Sequence, residues 1–284
     1  MQRFSRGLDL VKASVGVLRA DKELLIFPII SAIAIFLVSI GFIIPSFLAG
    51  AIDKDGIGVA GYIVLFFYYL VVYTIGIFSS TAIVGAAMMR LKGQDPTVQD
   101  GINIAKSHLG DIIGYAAISA IVGMVLRAIE ERSGLIGDIV AGIIGAVWSI
   151  ATFLVVPVMI VEGLGPIEAI KRSASLLKQT WGEQIAGNFS IGIVFMLLFL
   201  VVLIPGIILL MIAASISVVL AVLVGIVLAM AIAALIAIQS AISGIFTAAV
   251  YLYATNTVPS NPYFSQDVLQ SAFVPKKGKR TLGI

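Results

Sequence analysis

The sequence predicts an all-α fold: a polytopic membrane helix bundle of six transmembrane helices with three amphipathic helices on its cytoplasmic side. Of the 284 residues, 60% are hydrophobic and 12% are charged, whereas about 25% of the residues in a soluble domain are charged. Eighty-three consecutive residues, from Gln184 to Gln266, contain no Asp, Glu, Lys, Arg or His. The surface of a soluble domain with such a stretch would be bare hydrocarbon. Residues 1–284 are therefore interpreted as a single integral membrane domain.

Charged residues divide the chain into five uncharged windows, and these windows determine the predicted spans. The windows are residues 24–52, 56–89, 112–126, 139–161 and 184–266. A spanning helix needs about 20 apolar residues, so the third window is short and the fifth must hold two helices. The fifth window is expected to break near Pro205 and Gly206 or among Ser215 and Ser217. The six predicted spans are residues 24–44, 60–86, 112–129, 139–161, 185–204 and 228–254.

The distribution of basic residues predicts that both termini face the cytoplasm, with the chain in the cell membrane. With six spans, the outer loops, at about residues 50–56 and 127–138, hold only Lys54, Arg127 and Arg132, and the cytoplasmic segments hold the other 15 of the 18 Lys and Arg residues. Cytoplasmic loops of membrane proteins carry such an excess of basic residues. Seven spans, with the last window divided in three, would place the basic tail outside and break this rule.

Three segments between or before the spans have the period of amphipathic helices. They are residues 2–22, 97–110 and 166–181. In the second segment, Val98 and Ile102 begin a series of apolar residues spaced by three or four, which lies on one helix face. Thr97 and Asp100 form a capping-box pattern at its start, with Pro96 expected in the first turn. Such helices lie among lipid headgroups, where they either seal the cytoplasmic face of the bundle or bind lipids and partners.

Two stretches of the sequence carry a resemblance to known proteins. Residues 156–173 read VPVMIVEGLGPIEAIKRS, and residues 248–255 read AAVYLYAT, followed by AFVP at 272–275. The chain resembles a family of uncharacterised prokaryotic six-helix membrane proteins, catalogued as a domain of unknown function. It is more distantly similar to the membrane domain attached to some glycerophosphodiester phosphodiesterases. The resemblance implies a six-span bacterial or archaeal membrane protein and no particular reaction, since no phosphodiesterase domain is present.

The sequence offers few groups for chemistry, so we expect no enzyme activity, no catalytic residue, no cofactor and no metal site. His108 is the only histidine and there is no cysteine. Residues 53–56 read DKDG like the start of a calcium loop, but Val64 stands where that loop needs Glu. Asn188 and Gln239 are the deepest polar side chains expected, and Gln239 is expected to hydrogen-bond to a neighbouring helix.

Two groups of residues are candidate lipid contacts. Tyr62, Phe66, Tyr69 and Tyr73 form an aromatic stripe on the second span, which is either packing surface or one wall of a groove for a lipid or another apolar ligand. The tail, residues 256–284, contains a basic cluster that either anchors the chain or attracts anionic lipid. The cluster consists of Lys276, Lys277, Lys279 and Arg280.

Small residues form rows at four-residue spacing in the last span. Ala233, Ala237 and Ala241 make one row, which continues beside Ser240 and Gly244. Such rows let helices approach closely, either within the chain or between subunits.

These observations leave two function hypotheses. The first is a non-enzymatic membrane protein that organises the membrane, binds lipid or is accessory to other membrane proteins. Its partners would be membrane lipids and, as further candidates, other membrane proteins or copies of itself, but not nucleic acid. The alternative is a permease or carrier for an apolar or lipid-like substrate, which requires a groove reachable from one leaflet. Proton-coupled transport is not expected, because charged residues that mark proton paths are not predicted at depth.

Overall fold

The computed structural model describes residues 12–48, 59–181 and 190–255, and every regular element within these ranges is a helix. The all-α prediction is therefore confirmed. The helices are α1 (residues 12–20), α2 (Ile26–Leu48), α3 (Val59–Leu91), α4 (Val98–Ser107), α5 (Leu109–Ala151), α6 (Val155–Glu162), α7 (Pro166–Trp181), α8 (Ser190–Ile216) and α9 (Val218–Ala254). A 3₁₀ turn, Lys22–Leu25, joins α1 to α2.

Six helical segments in this part of the chain are long and apolar enough to cross a membrane, as predicted. They are Lys22–Phe42, Gly61–Leu91, Leu109–Glu131, Ile136–Glu162, Phe195–Ile216 and Val218–Ala254. Large apolar side chains on most of these segments are exposed on the surface of the bundle. Since a soluble protein does not expose apolar surface on this scale, the chain is a multi-pass membrane protein.

The helix α5 reverses direction within residues 127–138, where the connection between two spans was expected, but this connection is helical. Leu126 lies 3.8 Å from the position that a Cβ on Gly145 would occupy, and the side chain of Tyr115 is hydrogen-bonded to Thr152. A straight helix would hold Tyr115 and Thr152 about 55 Å apart. The helix therefore forms two antiparallel limbs. Its helical conformation continues through the turn because no proline interrupts residues 127–138.

The helices α8 and α9 form a second hairpin, whose turn is a single residue. Ser217 separates them, and its hydroxyl accepts a hydrogen bond from the backbone N–H of Leu220 at 3.1 Å. The break thus lies among Ser215 and Ser217, and the predicted limits of these spans, 204 and 228, are wrong. Pro205 lies inside α8, because transmembrane helices tolerate an internal proline.

The other proposed break residue, Gly206, serves helix packing instead. A Cβ at this position would lie 2.3 Å from Leu228 Cδ1. The missing side chain of Gly206 therefore allows α9 to pack closely along α8, which contacts the rest of the bundle mainly through α9.

The packed core lies at one end of the bundle, which we call the base; the hairpin turns lie at the opposite end, the tips. The ends of α3 and α9, the start of α5, and α6 and α7 meet at the base. The largest fully buried side chains include Leu24, Ile83, Leu91, Ile112, Leu154, Met159, Ile242 and Ile245. Towards the tips the helices diverge, and most of their large side chains face outward.

The helix α4 lies across the base, against α2 and α3. A Cβ at Gly101 would lie 2.5 Å from the ring of Phe27, and a Cβ at Gly85 would lie 2.8 Å from Ile104. These two glycines therefore let α4 sit close to its neighbours. The carboxylate of Glu23 also accepts a hydrogen bond from the N–H of Val98 at 3.2 Å, at the start of α4.

The predicted capping box of α4 is confirmed. The Thr97 hydroxyl accepts from the Asp100 N–H, and the Asp100 carboxylate accepts from the Thr97 N–H at 2.9 Å. The Thr97 hydroxyl also donates to the Asp100 carboxylate at 2.7 Å, and this hydrogen bond together with that from the Thr97 N–H lowers the pKa of Asp100. Pro96 precedes the cap and is not in the first turn, which corrects the prediction.

The helix α4 ends at Ser107, earlier than the predicted end at residue 110. His108 forms the junction between α4 and α5 and therefore lies outside α4.

Candidate functional site

An apolar groove lies between α3 and the first limb of α5. It encloses a volume of about 600 Å³, within the range of small-molecule sites, about 300–1,000 Å³. Its lining consists of Tyr62, Ile63, Phe66, Ile121, Met124, Val125 and Ala128. Ile63, Ile121 and Val125 are each more than half exposed, so the groove opens sideways towards the surrounding bilayer. The only polar side-chain atom in this lining is the hydroxyl of Tyr62.

The structure divides the predicted aromatic stripe into two parts. Tyr62 and Phe66 line the groove. Nearer the base, Tyr69 and Tyr73 pack together, with ring centroids 6.1 Å apart, and Tyr73 lies against Gly123 of α5. The stripe is therefore both packing surface and groove wall. The absence of a side chain at Gly123 leaves room for the Tyr73 ring against α5.

An ion pair lies beside the groove, towards the tips. Arg127 Nε donates to Glu131 Oε1 at 2.7 Å, and the side chain of Arg127 is also hydrogen-bonded to Tyr69. Both charged side chains are about two-fifths exposed. The four-residue spacing of Arg127 and Glu131 in the sequence is typical of such a helical pair, but the contact with Tyr69 could not be predicted without the pairing of α3 and α5.

The first stretch that carries the family resemblance forms a structural junction at the base. Residues 152–154 interrupt the helix between α5 and α6, one turn before Pro157, which cannot donate a helical hydrogen bond to Phe153. Within this interruption, the N–H of Leu154 donates a hydrogen bond to the buried hydroxyl of Ser173 at 3.0 Å. Gly163 ends α6 with a φ of 62°, a left-handed conformation that favours glycine.

Glu162 connects this stretch to the second one. Its carboxylate accepts a hydrogen bond from Arg172 Nε at 2.9 Å and another from the hydroxyl of Tyr251 at 3.2 Å. Tyr251 lies in the buried end of α9 and is 2% exposed. The residues of the two stretches therefore meet in space, and the contacts between them hold α6, α7 and α9 together.

A second charged group ties α1 to the end of α3. Asp21 is 4% exposed, and its carboxylate lies 3.3 Å from Arg90 Nε. Arg90 also pairs with Asp95 in the turn before α4. Burial raises the pKa of Asp21, although Arg90 acts in the opposite direction. This group links the end of α1, the end of α3 and the turn before α4 at the base, and it is distant from the groove.

The remaining sequence-based candidates are placed as follows. The side chain of His108 lies 3.7 Å from Asp111, and Gln239 is partly buried in α9. The basic tail cluster, the DKDG sequence at 53–56 and Asn188 lie outside the described residues. The row of small residues packs within the chain at Gly244, where a Cβ would lie 2.5 Å from Ile83.

The fold and the groove define a polytopic helical membrane protein with a laterally open apolar groove. The chain belongs to DUF6159, a family of unknown function, which matches residues 59–260. No curated protein and no solved structure matches the chain. The expected similarity to the membrane domain attached to some glycerophosphodiester phosphodiesterases is not shown by these comparisons, and we infer no phosphodiesterase activity.

Proposed function

We propose that this protein is a non-enzymatic, membrane-organising protein that binds a membrane lipid in the groove between α3 and α5. The observation that carries the proposal is the groove itself, which is apolar, lined by two aromatic rings and open to the side. A lipid could enter it from the bilayer without leaving hydrocarbon. In the proposed orientation, the base faces the cytoplasm, because most basic residues lie there.

The packing properties of the groove support selective lipid binding. Within a bilayer there is no hydrophobic driving force for association, so binding depends on van der Waals packing and a few polar contacts. The rings of Tyr62 and Phe66 are rigid surfaces against which an acyl chain can pack. The hydroxyl of Tyr62 supplies a polar contact at the tip side of the groove, where a headgroup region begins.

The engagement of polar groups elsewhere supports a non-enzymatic role. The carboxylates of Glu162 and Asp21 are occupied by Arg172 and Arg90 in contacts that join helices. Arg127 pairs with Glu131. A catalytic acid or base has to reach a substrate proton, and these groups are held by one another instead.

A carrier for an apolar or lipid-like substrate is the second candidate, and the same groove favours it. A carrier would need the groove to exchange its contents between two states or two leaflets. Both candidates require an apolar ligand beside Tyr62 and Phe66. They differ in whether that ligand moves across the membrane.

Native mass spectrometry of the chain in lipid nanodiscs tests lipid binding. We expect one lipid to remain bound to the wild-type chain. The combined change Tyr62→Ala and Phe66→Ala should reduce the lipid-bound fraction at least tenfold, because it removes one wall of the groove. Phe36→Ala is the matched control, since Phe36 is exposed on α2 and does not line the groove.

An unchanged lipid-bound fraction in the Tyr62→Ala and Phe66→Ala variant would contradict the proposed site. Transfer of a fluorescent lipid between the leaflets of reconstituted vesicles distinguishes the two candidates. Transfer that depends on Tyr62 and Phe66 would favour the carrier, and binding without transfer would favour the organising role.

A further inference from the structure

A pair of opposite charges lies at one end of the groove. Leu109–Glu131 is the part of the first limb of α5 that is apolar enough to cross a membrane, and Arg127 and Glu131 lie in its last turn. In the sequence, Arg127 directly precedes Ala128 and follows Met124 by one turn, and both of these neighbours line the groove. The apolar wall of α5 therefore leads directly to this ion pair.

The contacts of Arg127 place its guanidinium between the two helices that form the groove. Its side chain is hydrogen-bonded to Tyr69, one turn along α3 from the groove-lining Phe66. Its Nε donates to Glu131 Oε1 at 2.7 Å. Because a guanidinium has five N–H donors, these two acceptors in the described chain leave further donors for a ligand. The side chain is 40% exposed, so a ligand in the groove can reach it.

Glu131 lies on the side of α5 that faces the groove. It follows Met124 by seven residues, or about two helical turns, so the two side chains share one face of the helix. In the described part of the chain, no group donates to its second oxygen, Oε2. Glu130 instead follows Gly123 by two turns, and Gly123 does not line the groove. A guanidinium and one carboxylate thus stand side by side at the end of the groove.

The charges at this end balance, which favours a ligand that carries both signs. Residues 127–132 contain two arginines and two glutamates. The headgroup of a zwitterionic phospholipid would bring a phosphate to Arg127 and an ammonium to Glu131. Arginine binds phosphate through paired N–H donors. A primary ammonium has three N–H donors that a carboxylate can accept, whereas a trimethylammonium group has none.

We propose that the groove binds a zwitterionic phospholipid with a primary amine, of the ethanolamine type. An acyl chain packs against Tyr62 and Phe66, the phosphate binds Arg127, and the ammonium binds Glu131. Phosphate and amine are joined by a two-carbon linker in this headgroup, and their partners are likewise adjacent in the ion pair. The inference rests on the proposed lipid site and deepens it by naming the headgroup that the protein would gather around itself.

Competition between phospholipids tests the headgroup. The full chain is placed in nanodiscs with equal amounts of dioleoyl phosphatidylethanolamine, phosphatidylcholine and phosphatidylglycerol, and the retained lipid is identified by native mass spectrometry. We expect phosphatidylethanolamine to be retained roughly fivefold more than either other lipid. A larger preference is not expected, because the Glu131 side chain is 41% exposed and water weakens its contacts.

Two variants separate the roles of the charged groups. Glu131→Gln should abolish the preference for phosphatidylethanolamine over phosphatidylcholine, because the amide lacks the negative charge that attracts the ammonium. Arg127→Gln should lower the retention of all three phospholipids. It should leave unchanged the retention of dioleoylglycerol, which has no phosphate and so reports on the groove alone. Glu130→Gln is the matched control, since it removes the same charge from the neighbouring residue, and it should keep the wild-type preference.

Equal retention of the three phospholipids by the wild-type chain, or a preference for phosphatidylglycerol, would overturn the headgroup assignment. A preference for phosphatidylethanolamine that survives in both Arg127→Gln and Glu131→Gln would overturn it as well. In these cases the lipid site itself stands if the combined Tyr62→Ala and Phe66→Ala change still removes the bound lipid. If the wild-type chain retains no phospholipid, the lipid site and the headgroup assignment are both wrong.

Discussion

At the scale of single residues, Glu162 is the side chain that joins the two stretches of the family resemblance. It accepts hydrogen bonds from Arg172 and Tyr251 and so connects the end of α6 to α7 and α9. The sequence shows both stretches but not their contact, because 89 residues separate Glu162 and Tyr251. Glu162 and Tyr251 stabilise the packing of helices at the base, and neither lines the groove.

Replacing Glu162 should measurably destabilise the protein. Glu162→Ala leaves the hydroxyl of the buried Tyr251 without its acceptor, and it removes the ion pair with Arg172, which is partly exposed and so contributes less. We expect a loss of about 1–2 kcal/mol in the free energy of unfolding, measured by denaturation in lipid–detergent micelles. Lys171→Ala, at an exposed position of α7, is the control. A Glu162→Ala variant as stable as this control would show that the junction contributes nothing.

At the scale of helices, the sequence predicted the elements whose ends have strong signals. The capping box of Thr97 and Asp100 identifies the start of α4, and Pro166 identifies the start of α7. The hairpin turns were harder to predict. Pro205 is a stronger breaking signal in water than Ser217, but hydrocarbon favours continuous helix because unpaired backbone groups are costly there.

The close approach of α9 to α3 depends on the absence of a side chain at Gly244. Gly244→Ala should cost about 1–3 kcal/mol of stability, because its Cβ would lie 2.5 Å from Ile83 in a fully buried position. Gly142→Ala is the matched control, since no atom lies within 4 Å of the added Cβ, and alanine favours helix over glycine. Thermal unfolding of both variants measures the difference. Equal stability of the two variants would contradict the packing described.

At the scale of the whole molecule, the sequence predicted the number of spans but neither the core at the base nor the groove. Ile83 and Ile121 illustrate the reason. Both are isoleucines in apolar helices, yet Ile83 is fully buried and Ile121 is 54% exposed in the groove wall. Hydropathy does not distinguish a lipid-facing residue from a protein-facing one, because both environments are apolar. The groove is found only once the structure shows that α3 pairs with α5 and where these two helices diverge.

Photocrosslinking with a phospholipid that carries a diazirine on its acyl chain tests the central claim, a bound lipid between α3 and α5, most directly. Mass spectrometry of the peptides should show crosslinks concentrated at Tyr62, Phe66 and Met124. They should exceed those at Phe36 and Val201, which are 64% and 68% exposed on the outside of the bundle. Crosslinks distributed in proportion to exposed area, with no excess in the groove, would contradict the account.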